Sequence, residues 1–286
     1  MNRELKSKIA ERLGEAFTVV SGVGGGSIAD SSIIETDTGK RFFLKTGYSG
    51  TMFLNEANGL KELRKPACIT VPEVIAADRQ FLILELIVPG RRQNDFDTVF
   101  GQQFAQLHKY TSETFGFYED NFIGATPQMN IPSETEKYNW TEFYFNKRLL
   151  FQYRLAEKNG YASPELRNAF KIIEKNIGKI LEGSEEEPSL LHGDLWSGNY
   201  ITGKYGEPVL IDPAVYYGHR EADLAMTYLF GGFGQEFYRS YNSTLPLKEG
   251  WEHRLNIYKL YHVMNHLNLF GMGYYSQAVR LMEYYK

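Results

Sequence analysis

The feature that most limits how this chain can fold is a change of hydrophobic period near residue 88 of its 286. Before that point, short runs of β-branched and aromatic residues are broken by turn residues, which is the pattern of strands. Three such runs cover residues 17–22, 28–35 and 41–46, with "DTGK" as the second turn. "MFLNEANGLKEL" then sets Phe53, Ala57 and Leu60 at helical spacing. "VPEVIAAD" and "FLILELIV" read as two more strands, the second so apolar that it belongs at the centre of a sheet. After "PGRRQND" almost everything has a helical period: 96–109, 139–158, 164–181, 221–230 and 251–270. Only "NYI" and "PVLI", around the turn "GKYGE", look like strands there. The expected fold class is therefore α+β and bilobal. Residues 1–88 form a small N-terminal antiparallel sheet lobe with a helix, and residues 89–286 a larger, mainly helical C-terminal lobe.

Composition removes several classes of function. A formal net charge of −4 and scattered basic residues leave no basic face for nucleic acid. The N-terminus lacks the apolar core of a signal peptide and instead spaces Leu5, Ile9 and Leu13 as an amphipathic helix would. No apolar run approaches the roughly 18 residues of a membrane span. Cys68, the single cysteine, excludes an internal disulfide and a multi-cysteine metal site, and a reducing cytoplasm is the simplest location. The 20 Tyr and 19 Phe belong mostly to a core, with some available to line a pocket.

Chemistry gathers in three places. "GVGGGS" supplies Gly24, Gly25, Gly26 and Ser27 between two strand patterns. A Walker A loop requires a following Lys-Ser or Lys-Thr and a dinucleotide fingerprint a following helix; neither is present. What remains is either a plain hairpin turn or a loop that covers ATP phosphates with backbone N–H groups. Lys45 lies on the third strand, and Glu56 follows eleven residues later on the helix. In a kinase-like lobe such a lysine touches the nucleotide phosphates and such a glutamate holds it; taken singly, both also suit a solvated surface. Finally, "LLHGDLWSGNYITGKYGEPVLIDPA" fits H-x-D-x-x-x-x-N with His192, Asp194 and Asn199, and adds Asp212 after a hairpin. Phosphoryl transfer needs a carboxylate to orient or deprotonate the attacking hydroxyl, which suits Asp194. It also needs oxygen ligands for Mg2+, which suits Asn199 and Asp212. His192 reads as a brace for the loop and Asp223 as its anchor. Only eight residues separate Asp212 from Glu221 and no A-P-E follows, so there is no platform for a protein substrate and a small acceptor is favoured.

The chain resembles the fructosamine kinase (ketosamine-3-kinase) family, relatives of the aminoglycoside and choline phosphotransferases, along nearly its whole length. The resemblance is carried by "HGDLWSGN", "IDPAVYYGHREADLAM", "FGGF", "LYHVMNHLNLFG" and "FIGATPQMN". It implies a protein-kinase-like fold and ATP-dependent phosphorylation of the 3-hydroxyl of a ketose joined to an amine, with a role in deglycation. The acceptor would be a small ketosamine or a glycated lysine. The resemblance further implies Asp194 as catalytic base, Asn199 and Asp212 as Mg2+ ligands, and Lys45 as phosphate contact supported by Glu56. Glu85, Leu86 and Ile87 would form the hinge that reads adenine through its backbone, and Trp196 would pack on the sugar-amine. Ser27 stands where some relatives carry a cysteine, so no thiol switch is expected.

His262 and His266 sit four apart on the last long helix, a zinc-compatible spacing without a third ligand. Substrate contact and packing are the readings left for them. Other acceptors, an aminoglycoside or an amino alcohol such as choline, remain within the enzyme class. A catalytically inactive nucleotide-binding scaffold is the alternative outside it.

Overall fold

The computed structural model describes residues 1–23, 29–48 and 50–286. Helix α1 (Arg3–Leu13) is capped by Asn2, whose Oδ1 accepts from the Leu5 N–H at 2.8 Å. Strands β1 (Phe17–Val23), β2 (Asp30–Thr36) and β3 (Arg41–Thr46) lead into α2 (Met52–Arg64), and β4 (Val74–Ala77) and β5 (Leu82–Glu85) complete a five-stranded antiparallel sheet in the order β1-β2-β3-β5-β4. β5 is interior and buried on both faces, as its apolar run requires.

Alternation along β3 decides where its lysine goes. Leu44 joins Ile9, Phe17, Ile34, Phe81 and Ile83 in a small core beneath α1, and Phe42 packs against it. Phe43 and Lys45 therefore face the opposite side, toward α2 and the rest of the molecule. A register slip of one residue would bury Lys45 under α1, without its carboxylate partners.

The remainder follows as α3 (Phe96–His108), the hairpin β6 (Asn121–Ile123) and β7 (Thr126–Gln128), α4 (Trp140–Tyr144), α5 (Phe151–Lys158) and α6 (Pro164–Ile180). Strands β8 (Ser189–Leu191), β9 (Tyr200–Thr202), β10 (Pro208–Leu210) and β11 (Tyr216–Gly218) come next, pairing as β9 with β10 and β8 with β11. Helices α7 (Arg220–Thr227), α8 (Gln235–Thr244), α9 (Trp251–Phe270) and α10 (Tyr275–Glu283) close the chain. The expectation of an almost wholly helical second part is thus corrected: besides the anticipated β9 and β10 it holds β6, β7, β8 and β11, three residues each, whose short runs lack the turn signal "GKYGE" that marks β9 and β10. Helices α8 and α10 were not anticipated either, and α7 ends at Thr227, three residues early.

The helix expected over 139–158 is interrupted. Between α4 and α5, residues Phe145–Leu150 form a π-helical turn. This turn carries Arg148, which is fully buried and, among the described residues, has no carboxylate partner. Its guanidinium donates to the Met129 carbonyl at 2.6 Å and to Asn130 Oδ1 at 2.7 Å, and lies 4.0 Å from the centre of the Tyr216 ring. A wider turn inserted in a helix commonly marks a local functional constraint; here it brings a cation under the strand that follows Asp212.

Most aromatic residues are core. Phe100 contacts Phe104, Phe237 and Tyr200, with Phe100–Tyr200 centroids 4.9 Å apart, so α3 and α8 clamp the residue next to Asn199.

Candidate active site

The segment 190–214 is a loop and hairpin held from below by α7. Asp223 Oδ2 accepts from the His192 N–H at 2.6 Å and Oδ1 from the Gly193 N–H at 2.7 Å. His108 Nε2 lies 3.2 Å from the same carboxylate, and Tyr241 fixes the other ring nitrogen at 2.7 Å. Burial drives the pKa of His108 down against the pull of Asp223, so the ring serves as a neutral brace. Each neighbouring charge on α7 is also paired: Arg220 with Glu186 at 2.8 Å and Glu221 with Arg254 at 2.7 Å, both nearly inaccessible. This accounts for a helix that is charged in sequence yet buried along its whole length. Asp223 anchors the loop, as its spacing suggested.

Gly193 explains why no larger residue stands between His192 and Asp194. Its φ is 82°, and a Cβ would lie 2.0 Å from the Ala214 carbonyl oxygen. His192 is buried, with Nε2 2.9 Å from the Ile211 carbonyl and Nδ1 3.3 Å from the Asp194 N–H. Those contacts fix one tautomer, Nε2–H donating and Nδ1 accepting, and leave no proton to exchange. Its role is to tie the loop to the strand before Asp212.

The ionic cluster expected from three separated motifs is assembled. Lys45 Nζ donates to Glu56 Oε1 at 2.7 Å and to Asp212 Oδ1 at 2.5 Å. Burial alone would strip the Lys45 proton, but the two carboxylates outweigh it and hold the pKa above its ordinary value. Glu56, buried beneath it, is pushed upward by desolvation, with Lys45 opposing and Asp212 adding to the push. Asp212 itself sits at φ 53°, a left-handed conformation rare outside glycine that sites tolerate where geometry matters. Its carboxylate is the open member of the cluster, 43% exposed.

Asn199 links the two aspartates. Its Nδ2 donates to the Asp194 carbonyl at 2.8 Å and to Asp194 Oδ2 at 3.0 Å, and lies 3.5 Å from the Asp212 carbonyl. Among the described residues no group donates to Asn199 Oδ1. Asp194 has its pKa pushed well up, first by desolvation and then by Asp212 and Asp223, against the Asn199 hydrogen bond. Such a carboxylate is a poised proton acceptor.

The remaining candidates fall as follows. Leu86 and Ile87 follow β5 outside any regular element, half-buried, and among the described residues their backbone groups have no partner within the chain. The Glu85 N–H is taken by the Glu73 carbonyl at 2.8 Å. Trp196 is 36% exposed, with its ring over Gly198, where a Cβ would lie 2.4 Å from ring carbons. His262 is only 3% exposed, and its carbonyl accepts from His266 Nδ1 at 2.8 Å. His266 is half-buried among Phe230, Phe270 and Tyr274. Gly24, Gly25, Gly26 and Ser27 lie outside the described residues. Tyr216 and Tyr217 are buried; Tyr217 donates its hydroxyl hydrogen to Glu62 Oε1 at 2.8 Å and so ties α2 to β11. Sequence reasoning did not anticipate that link, and nothing local in "DPAVYY" announces it.

A small sheet carrying a lysine that bridges a helix glutamate and a loop aspartate is the arrangement of the kinase-like phosphotransferases. In keeping with that, an ADP-bound aminoglycoside phosphotransferase superposes with a TM-score of 0.66 over 100% of this chain and 99% of its own, at 14% identity, a likeness of fold. The sequence model of the fructosamine kinase family matches residues 1–286, and the chain belongs to that family. A relative from rice (Oryza sativa subsp. indica), named a chloroplastic protein-ribulosamine 3-kinase, is 42% identical over 278 residues, 94% of this chain and 79% of its own. A crystal structure from Thermobifida fusca, of a protein proposed to be a fructosamine-3-kinase, has a TM-score of 0.87 at 30% identity, covering 100% of this chain and 99% of that one. Among the described residues no helix is long and apolar enough to cross a membrane.

Proposed function

We propose that the chain is an ATP-dependent kinase that phosphorylates the 3-hydroxyl of ketosamines, the adducts of ribose or glucose with an amine. The observation that carries this reading is the continuous set of contacts from Glu56 through Lys45 and Asp212 to Asn199 and Asp194, in a chain of this family. Asp194 takes the proton of the attacking hydroxyl, the oxygen bonds to the terminal phosphorus of ATP, and ADP departs. Lys45, held by Glu56, neutralises phosphate charge. Gly24, Gly25, Gly26 and Ser27 cover the phosphates. Glu85, Leu86 and Ile87 receive adenine, the unpartnered backbone of the latter two supplying a donor and an acceptor. The division at residue 88 is then one between a nucleotide lobe and an acceptor lobe.

Mg2+ prefers oxygen ligands and is commonly held by one or two carboxylates together with substrate phosphates. The open Asp212 carboxylate and the free Asn199 Oδ1 fit that demand. When bound, the ion would neutralise charge developing on the phosphates. On the acceptor side Trp196 packs on the sugar-amine and His266 faces it, while buried His262 holds His266 through its carbonyl. The acceptor is a small ketosamine or a glycated lysine, and the reducing cytoplasm is the proposed location, in keeping with Cys68 as a lone free thiol.

ADP release measured with ribulose-lysine, fructose-lysine, kanamycin and choline tests the reading. Turnover of the two ketosamines alone is expected. Turnover of only kanamycin or choline would overturn the acceptor assignment, ATP binding without turnover of any acceptor would leave the scaffold alternative, and failure to bind ATP would overturn the kinase reading itself.

A further inference from the structure

We infer that Phe230 is a specificity-determining residue: with Trp196 and the ring of His266 it forms a subsite for the charged amine half of the acceptor. This rests on the ketosamine reading above and says how such an acceptor is told from a plain sugar.

Phe230 has φ 54°, and Gly231 and Gly232 follow at 99° and 69°. For a bulky side chain a left-handed backbone costs free energy and persists only where surroundings impose it. What the strain achieves is exposure rather than burial, since the ring is 42% accessible. It stands 6.2 Å from Trp196, edge to face, and 4.7 Å from His266. Trp196 lies two residues beyond Asp194, so this aromatic corner begins at the proposed reaction centre.

The corner suits a cation. Elsewhere protein cations already cover rings, as Arg148 does over Tyr216 and Lys259 over Tyr228. Among the described residues no Lys or Arg lies over Trp196, Phe230 or Phe270. Partly exposed rings without a cation of their own attract an ammonium group, Trp most strongly. His266 adds an acceptor, because its Nδ1–H is committed to the His262 carbonyl and leaves the Nε2 lone pair. Burial pushes its pKa down, so the ring stays neutral and does not repel an ammonium. The ridge continues over Tyr274 to Phe270, which is 60% exposed. An amine's carrier can therefore leave toward solvent without being buried.

The test compares two acceptors: ribulose-lysine, whose secondary amine is protonated, and the same ketose with an ether oxygen in place of the amine. Wild type is expected to prefer the amine, mainly through KM. Phe230→Leu keeps apolar bulk but removes the ring face. It should lower the amine-to-ether ratio of kcat/KM about tenfold, the order expected for one desolvated cation–aromatic contact. Phe230→Tyr should restore most of the ratio. If Phe230→Leu lowers kcat/KM for both acceptors equally, or leaves both unchanged while its melting temperature matches wild type, the subsite is refuted. If wild type turns over neither acceptor, the ketosamine reading has failed first, and ATP binding by calorimetry separates that from misfolding.

Discussion

The two sides of the catalytic loop are built in opposite ways. On the side proposed for the nucleotide, charge is paired in advance: Lys45 is shared by Glu56 and Asp212, and the loop backbone is pinned by Asp223. On the side proposed for the acceptor Trp196, Phe230 and Phe270 stand partly exposed, packed against one another and His266, and among the described residues no Lys or Arg covers them. Phosphate demands fixed charge placed before the substrate arrives, because reorganising charge during reaction is costly. A sugar-amine asks for shape and ring faces, which are supplied without buried ions. Rate should therefore be lost on the first side and discrimination on the second.

The sharpest test of that contrast is Asp194→Asn. Turnover should fall by about 10²–10⁴, the usual share of a general base, while ATP binding persists. The same variant should be more stable than wild type at neutral pH. Because the Asp194 pKa is raised in the folded state, the native protein holds that proton more tightly than the unfolded chain does. Stability from this group is then present at acid pH and is lost as pH rises from the ordinary carboxylate range to the folded value. Thermal melts of both proteins across pH should converge at acid pH and diverge above it. In wild type, kcat/KM should rise with pH to a midpoint above the ordinary carboxylate range.

Lys45→Met comes next, with kcat expected to fall by about 10²–10³, as for loss of one preorganised electrostatic donor. The ketosamine KM should barely move. Arg254→Ala probes the scaffold instead: it leaves Glu221 charged and buried, at a cost of about 3–5 kcal/mol in chemical denaturation. Trp196→Ala should act on the acceptor side only, raising the ketosamine KM about tenfold with the ATP KM unchanged. If it reduced kcat as far as Lys45→Met does, the contrast between the two sides would collapse. The smallest effect is expected from Tyr217→Phe, which removes one hydrogen bond between β11 and α2, worth about 1 kcal/mol in stability.

Much of the ionic cluster around Lys45 and the 190–214 loop was legible along the chain, because it depends on spacing within single segments. The lysine faces α2 because alternation along β3 leaves Leu44 for the core under α1. Glu56 meets it from one helix, and one loop and hairpin carry Asp194, Asn199 and Asp212. The sequence shows a glycine between His192 and Asp194 but not why; only the approach of the Ala214 carbonyl supplies the reason. In the charged run "READLAM" the sequence offers Asp223 as a loop anchor but no reason for the whole run to be buried. Its burial rests on Glu186, Arg254 and His108, which lie 34, 33 and 115 positions from their partners.

What the sequence alone determined is the alternation of strands and the order and local spacing of the polar groups, since both follow from backbone geometry within a few residues. What tertiary structure decided is every contact between distant segments. Lys45 and Asp212 are separated by 167 positions and meet at 2.5 Å. Trp196, Phe230 and His266 come from a loop, a strained turn and a long helix, and form one surface only after folding. Hydrophobic period records which face of an element is buried and carries no record of the element it is buried against, so pairing is left to packing.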